Sequence, residues 1–158
     1  MQKTAAAVRE SEADRTLVIT RSFKAPRERV FRAWTEPAQV ARWMGPPSFQ
    51  AEVDRLEARS GGRYRVIIRP MDGSAPHIVQ GVFKEVVAPE RLVFTWAWEG
   101  ADGTPGHETL VTVEFRARGN DTEMTLTHRI FETSESRNNH NKGWTGSFDK
   151  LAALVEAK

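Results

Sequence analysis

The C-terminal stretch of the chain, residues 134–158, has the apolar spacing of one long amphipathic helix. Its apolar residues recur at helical intervals and share one face: Trp144, Phe148, Leu151, Ala152 and Val155. Toward the start of the stretch the same face becomes polar, with Arg137, His140 and Asn141. A helix that only sealed a core would have no reason to carry these residues there. The pattern predicts a helix that crosses a sheet, with a partly wet space beneath its first turns.

Two glycines flank the tryptophan in the middle of this helix, and both weaken it. Gly143 and Gly146 lie on either side of Trp144, and each costs about 1 kcal/mol relative to alanine in a helix interior. Either the backbone approaches another group closely there, or the helix is locally soft. At its start, Thr133 or Ser134 supplies the side-chain oxygen of an N-cap.

The rest of the chain alternates between strand and helix periodicity. Alternation of apolar and polar residues predicts seven strands, over residues 15–24, 49–57, 63–70, 77–87, 91–99, 108–116 and 122–131. In the last strand, this alternation directs Met124, Leu126, His128 and Ile130 to the inner face. Prolines introduce two short helices after the first strand, over residues 27–35 and 38–44.

The order of these elements predicts an α+β architecture. The strands follow one another through short connections, which is typical of an antiparallel sheet. Only the C-terminal helix is long enough to cover the inner face of that sheet. We therefore expect a helix-grip fold, in which a curved sheet of about seven strands wraps around this helix and the two short helices close one end. Residues 15–158 form a single domain in this prediction, and residues 1–14 form a flexible polar tail.

Charge and hydropathy restrict the partners of the chain. The 158 residues carry a formal net charge of +2, which is too balanced to indicate nucleic-acid binding. No run of 18 apolar residues occurs, so no membrane span is predicted. The N-terminus lacks the apolar core of a secretory signal. The absence of cysteine excludes disulfides and thiolate metal sites, and it fits a reducing cytoplasm. We expect a cytoplasmic protein without a cofactor.

Four stretches, in order, resemble a known family. They are ITRSFKAPRERVFRAWTEPAQVARWMGP at 19–46, GVFKEVVAPERLVFTWAW at 81–98, LTHRIF at 126–131 and HNKGWTGSFDKLAALV at 140–155. With the strands between them, they resemble the START-like SRPBCC superfamily, which has the Bet v 1-like helix-grip fold. More narrowly, the chain is similar to the family named for the activator of the heat-shock-protein-90 ATPase. The resemblance implies a ligand cavity between helix and sheet.

Many large side chains face inward in this arrangement, and they are the candidate ligand contacts. The aromatic ones are Phe31, Trp34, Trp43, Tyr64, Phe94, Trp96, Trp98, Trp144 and Phe148, and the aliphatic ones are Val113 and Leu126. Rigid rings leave gaps beneath a curved sheet, and ligand pockets are mostly apolar with a few polar groups. The alternative for each ring is that it simply fills the core.

Two histidines are the best polar candidates for contacting a ligand or for acid–base catalysis. Alternation places His128 on the inner face of the sheet, and helical spacing places His140 one turn before Trp144. We expect them to meet near one end of the cavity, where they bind a ligand carbonyl or hydroxyl or act as a general base. The alternative is a buried hydrogen bond from each to backbone or hydroxyl groups. No third ligand has the spacing of a zinc site, so no metal is predicted.

Three functions are compatible with these patterns. The first is a protein that holds a hydrophobic or aromatic small molecule between helix and sheet. The second is an enzyme. This alternative is considered because some relatives with this fold are aromatase/cyclases or hydrolases. In that case, His128 or His140 would be the acid–base residue. The third, implied by the family name, is a regulator of a chaperone ATPase that uses basic positions on the outer sheet face, such as Arg65 and Arg69. Edge strands also offer a surface for a homodimer.

Overall fold

In a computed structural model of the protein, residues 10–157 are described. Within this range the chain forms seven strands: β1 (Leu17–Phe23), β2 (Phe49–Leu56), β3 (Arg63–Pro70), β4 (His77–Val87), β5 (Arg91–Trp98), β6 (Thr109–Arg118) and β7 (Asp121–Arg129). It also forms three α-helices: α1 (Arg27–Thr35), α2 (Pro37–Trp43) and α3 (Ser134–Val155). A short 3-10 turn, Ala13–Arg15, precedes β1.

The strands form one antiparallel sheet in the order β1-β7-β6-β5-β4-β3-β2. Strands β2 to β7 pair with their neighbours in sequence, and β1 returns to pair with β7, with Leu17 opposite His128. The sheet curls into a half-barrel around α3, so the predicted α+β helix-grip fold is confirmed.

Helix α3 carries the apolar stripe that its sequence predicts. Its inward residues are buried: Trp144, Ser147, Phe148, Leu151, Ala152 and Val155. Thr133 is the N-cap, and its hydroxyl oxygen accepts a hydrogen bond from the backbone N–H of Ser136 at 3.0 Å. At the other end, Arg29 of α1 donates to the carbonyl oxygens of Val155 and Ala157. Both ends of the helix are therefore held by side chains.

The two short helices complete the core at one end of the sheet. Proline residues begin both, since Pro26 precedes α1 and Pro37 is the first residue of α2. Trp34 is the centre of the aromatic packing, with ring centroids 4.7 Å from Trp43 and 5.8 Å from Trp144. The Trp43 indole donates a buried hydrogen bond to the carbonyl oxygen of Ala33 at 2.7 Å, which ties the two helices together.

The end of β7 differs from the strand alternation. Met124, Leu126 and His128 are buried as predicted, but Ile130 is 44% exposed. Ile130 has a φ of 71°, so the backbone leaves the extended conformation and the alternation of faces stops there. Phe131 takes the inward place and is buried. The prediction that Ile130 faces inward is therefore wrong.

Most of the predicted N-terminal tail lies outside the described residues, which begin at Glu10. The described part contacts α3: the carboxylate of Glu10 accepts a hydrogen bond from the backbone N–H of Ser134 at 2.8 Å. Interaction with the Ser134 side chain, and then with its backbone N–H, lowers the pKa of Glu10. The carboxylate stands at the positive end of the α3 dipole, where a negative charge is favourable.

Candidate functional site

A cavity of ≈ 460 Å³ lies between the first half of α3, the inner face of the sheet and the segment that joins α2 to β2. Its lining comes from three places: Met44, Gly45 and Pro46 of the connecting segment; Phe49, Ile68, His77, Trp96 and Trp98 of the sheet; and Asn139, His140, Gly143, Trp144 and Ser147 of α3. The cavity lies beneath the first turns of the helix. Its volume is within the range of pockets that hold drug-sized molecules.

The cavity has an apolar floor and a polar rim. Trp96 and Trp144 are each only 4% exposed and belong to the floor, together with the buried Ile68. Asn139 and His77 are exposed and mark the rim. The His77 ring lies against Phe49 and Trp98, with centroid distances of 6.0 and 6.3 Å. A ligand would therefore contact mainly apolar side chains at depth, where Ser147 is a buried polar neighbour, and exposed polar groups at the rim.

Hydrogen bonds hold His140 in one orientation on this wall. The Trp98 indole N–H donates to Nε2 of His140 at 2.9 Å. Because Nε2 accepts this bond, the ring proton is on Nδ1, which donates to the carbonyl oxygen of Ser136 at 2.8 Å. Both nitrogens are therefore occupied, and His140 in turn positions Trp98 beside the cavity.

His128 is at the centre of a second, deeper network. Its Nδ1 accepts the Trp144 indole N–H at 3.1 Å. Its Nε2 lies 2.7 Å from the hydroxyl oxygen of Thr109, which itself donates to the carbonyl oxygen of Trp96 at 2.8 Å. The Thr109 hydroxyl uses its proton in the bond to Trp96, so in the bond between Thr109 and His128 the Nε2–H of His128 is the donor. The network connects α3 to β5, β6 and β7.

The two imidazoles meet as expected, with ring centroids 5.2 Å apart, but both are kept neutral. Burial lowers the pKa of His128 well below its usual value, and the nearby His140 lowers it further. Burial also lowers the pKa of His140, although its bond to Ser136 opposes this. Each lone pair already accepts an indole N–H, so neither ring offers a free base to a ligand.

The connecting segment is fastened to α3 along one side of the cavity. The backbone N–H of Gly45 donates to the Ser147 hydroxyl at 3.0 Å, and that hydroxyl donates to the carbonyl oxygen of Gly143 at 2.9 Å. The Lys150 ammonium donates to the carbonyl oxygens of Pro46 and Phe49. These bonds fix the backbone of one cavity wall.

The predicted ligand contacts divide into two groups. Trp96, Trp98, His140 and Trp144 line the cavity. The others lie in the packed core and do not reach it: Phe31, Trp34, Trp43, Tyr64, Phe94, Val113, Leu126, His128 and Phe148. Trp34, Tyr64 and Phe94 border a separate void of ≈ 20 Å³, which has room for about one water molecule. Every residue of this second group is buried.

Sequence reasoning missed several residues of the wall, although signals for some were present. Strand alternation in β4 places His77 on the same face as the buried Val79, and it pairs with Ile68 of β3. On α3, the spacing that relates His140 to Trp144 also selects Gly143 and Ser147. Asn139 lies four residues before Gly143 and shares this spacing, and strand alternation selects Phe49 of β2 and Ile68 of β3. The remaining missed residues, Met44, Gly45 and Pro46, have no such signal. The connecting segment lies there only because the tertiary fold returns it to α3.

On the outer face of the sheet, the two arginines considered for a partner surface are paired with carboxylates. Arg65 forms a two-pronged ion pair with Glu99 at 2.6 and 3.0 Å, and Arg69 pairs with Glu52. Residues 10–157 contain no group of three or more acidic or histidine side chains placed to hold a metal ion. In the same range, no helix has the length and apolarity needed to cross a membrane.

A curved antiparallel sheet that holds a C-terminal helix, with a cavity between them, defines the helix-grip class of the SRPBCC superfamily. The family model described as "Activator of Hsp90 ATPase homolog 1-like protein" matches residues 24–156. The chain belongs to this family, and the resemblance seen in its sequence is confirmed.

Solved structures show the same fold in bacterial proteins. A protein from Chromobacterium violaceum matches with a TM-score of 0.83 and 29% identity, over 91% of this chain and 99% of its own. The AHSA1 protein from Silicibacter pomeroyi matches with a TM-score of 0.82 and 27% identity, over 89% and 97% of the two chains. A protein from Arthrobacter aurescens reaches 0.83 at 24% identity, over 94% and 90%. None of the curated proteins matches this chain in sequence.

Proposed function

We propose that the protein binds a hydrophobic small molecule in the cavity between α3 and the sheet. The proposal rests on the cavity itself, which has a volume of ≈ 460 Å³ and a largely apolar lining that includes three tryptophans. Protein interiors are normally close-packed. A space of this size beneath a helix leaves apolar surface without contacts, and a bound molecule would supply them.

The rigidity of the wall supports the same proposal. His140 holds the Trp98 indole, and Ser147 and Lys150 hold the connecting segment. A wall held by hydrogen bonds does not collapse to fill the space when it is empty. Because little conformational freedom is lost on binding, a preformed site also binds more tightly than a flexible one.

The enzyme alternative has weaker support. General base catalysis needs an accessible lone pair within hydrogen-bonding distance of the proton to be removed. The acceptor nitrogens of His128 and His140 are already used by Trp144 and Trp98, and His128 does not line the cavity. Neither histidine is therefore proposed as a catalytic residue.

Regulation of a chaperone ATPase and homodimer formation remain predictions from the sequence. The basic positions considered for a chaperone surface include Arg65 and Arg69, and both are paired with carboxylates of the same chain. Paired charges contribute less to the attraction of an acidic partner than free ones. No contact among the described residues favours either alternative specifically.

The test of the proposal uses a fluorescent probe together with mass spectrometry. N-phenylnaphthylamine, an uncharged dye that emits strongly in apolar surroundings, is expected to bind the protein saturably and quench its tryptophan emission. Native mass spectrometry of freshly purified protein is expected to reveal a retained small molecule or a vacant site that takes up the dye. Absence of saturable binding by both methods would overturn the proposal.

A substitution in the wall locates the binding. Trp98→Ala removes a ring of the cavity wall that is only partly buried, and we expect about tenfold weaker dye binding, equivalent to roughly 1.4 kcal/mol. Val18→Ala serves as the control because Val18 is exposed on β1 and does not line the cavity. Equal affinities of the two variants would place the dye elsewhere.

A further inference from the structure

The cavity wall carries no formal charge. Among the described residues, its lining contains no aspartate, glutamate, lysine or arginine side chain, and burial keeps His140 neutral. Arg21 of β1 pairs with Asp149 of α3 at 2.7 Å, and Arg137 of α3 donates to Asn138. Lys150 donates to two backbone carbonyl oxygens. A charged ligand would leave water without gaining an opposite charge in the wall.

The polar side chains of the wall differ in how many of their hydrogen-bonding groups are free to contact a ligand. Ser147 both donates and accepts within the protein, and His140 uses both ring nitrogens. The His77 ring lies tilted against Phe49 and edge-on to Trp98 at the rim. The Asn139 side chain is exposed at the rim, with its amide open to solvent or to a ligand. Among the exposed polar side chains of the wall, free hydrogen-bonding capacity is therefore at the rim, and at depth the buried indole N–H of Trp96 has no partner among the described residues.

Gly143 leaves open space on the cavity side of α3. It lies in the interior of α3 and lines the cavity, and a Cβ built there meets no atom within 4 Å. Gly146 is different, since its Cβ would lie 3.0 Å from Cδ of Pro47. Packing of the connecting segment explains Gly146, but packing within the protein does not explain the helix-weakening glycine at 143.

We propose that the cavity takes an uncharged, planar aromatic molecule that lies against the α3 backbone at Gly143 and presents its polar group to Asn139. This inference deepens the function proposed above and rests on it. In the floor, Trp96 and Trp144 provide ring surfaces, and Ile68 provides an aliphatic surface. The missing side chain at Gly143 allows a flat ring to approach the helix. The rim then satisfies one polar substituent next to solvent.

The charge requirement is tested with a matched pair of dyes on the native chain. N-phenylnaphthylamine and anilinonaphthalene sulfonate share one ring skeleton and differ by a sulfonate group. We expect the uncharged dye to bind at least about tenfold more tightly. Equal or tighter binding of the sulfonate would overturn the inference while leaving the proposed function intact. Failure of both dyes to bind would instead remove the proposed function.

The approach at Gly143 is tested by Gly143→Ala, with Thr145→Ala as its control on the exposed face of the same helix. Alanine raises the helix propensity at both positions, so both variants are expected to melt at or above the temperature of the native chain. Only Gly143→Ala is expected to weaken N-phenylnaphthylamine binding, by about tenfold. Unchanged binding in a stabilised Gly143→Ala variant would overturn the proposed contact.

The orientation is tested by comparing naphthol with naphthalene. The native chain is expected to bind naphthol more tightly, because the hydroxyl meets the Asn139 amide. Asn139→Ala is expected to remove most of that preference while naphthalene binding stays the same. Asn139 is exposed, so the substitution leaves the fold intact. A preference for naphthol that persists in the variant would show that Asn139 does not receive the polar group.

Discussion

At the scale of single residues, His128 and His140 differ most from what their positions in the sequence indicate. Alternation and helical spacing place both on the inner side of the molecule, and they do lie together. Their hydrogen bonds to Trp144, Thr109, Trp98 and Ser136 make them structural, however. A buried, neutral, fully hydrogen-bonded imidazole stabilises the fold only while it stays neutral.

The stability of the protein is therefore expected to depend on pH in the histidine range. In the unfolded chain both rings bind protons near pH 6.5, whereas burial lowers their pKa in the folded state. Below about pH 6.5 the unfolded state binds more protons, so the free energy of unfolding falls, by up to about 1.4 kcal/mol per pH unit for each histidine. Above this range the contribution is fully present.

Urea denaturation at a series of pH values measures this dependence. The pKa values of Glu10 and Glu99 are lowered as well, so these carboxylates stay ionised in the same window and do not obscure it. His140→Gln is expected to show a shallower loss than the native chain, because one titrating group is gone. A flat stability profile between neutral pH and the carboxylate range would contradict the assignment of both rings as buried and neutral.

Two glycines are expected to respond to alanine in opposite ways. Gly81 of β4 pairs with Tyr64, whose hydroxyl donates to the carbonyl oxygen of Thr95 across the glycine. A Cβ at position 81 would overlap that carbonyl and the Tyr64 ring. We expect Gly81→Ala to destabilise the protein by roughly 1–3 kcal/mol, whereas Gly143→Ala stabilises it. Thermal denaturation checks both signs, and a tolerated Gly81→Ala would refute the overlap.

At the scale of elements, α3 performs two tasks along its length. Its second half is part of the core, since Phe148, Leu151 and Val155 are buried in the same cluster as the inner residues of the sheet. Its first half forms one wall of the cavity through His140 and Gly143. The change from polar to apolar along one helix face follows this division.

Ser147 is the residue that connects this helix to the segment between α2 and β2. Ser147→Ala leaves the buried backbone N–H of Gly45 without its acceptor, which is expected to cost roughly 1–3 kcal/mol. Chemical denaturation measures the loss, with Thr145→Ala as a control at an exposed position of the same helix. A loss within experimental error of that control would mean that the Gly45 N–H finds another acceptor.

At the scale of the whole molecule, one core spans the sheet and all three helices. Residues of α1, α2, α3 and the strands belong to the same buried cluster, and the seven-stranded sheet is continuous. Such a chain is expected to unfold in a single cooperative transition. Far-ultraviolet circular dichroism and tryptophan emission should therefore give the same midpoint in urea. Separate midpoints would show that part of the chain folds independently of the rest.

The sequence by itself determined which elements form and which faces they bury. The apolar spacing of α3, the alternation in the strands and the prolines before α1 and α2 are local signals, because each depends on residues close together in the chain. They were sufficient for the helix-grip fold and for the inward direction of Trp96, Trp98, His140 and Trp144. They failed at Ile130, where one backbone angle changes the face.

Only the tertiary structure decided which inward residues border a cavity and which fill the core. Trp34 and Trp144 look alike in sequence, yet only Trp144 reaches the larger space. The distinction depends on how closely α3 approaches the sheet, and on where Gly45 of the connecting segment and Phe49 at the start of β2 meet the helix. Those distances result from the packing of residues far apart in the chain, and no local pattern encodes them.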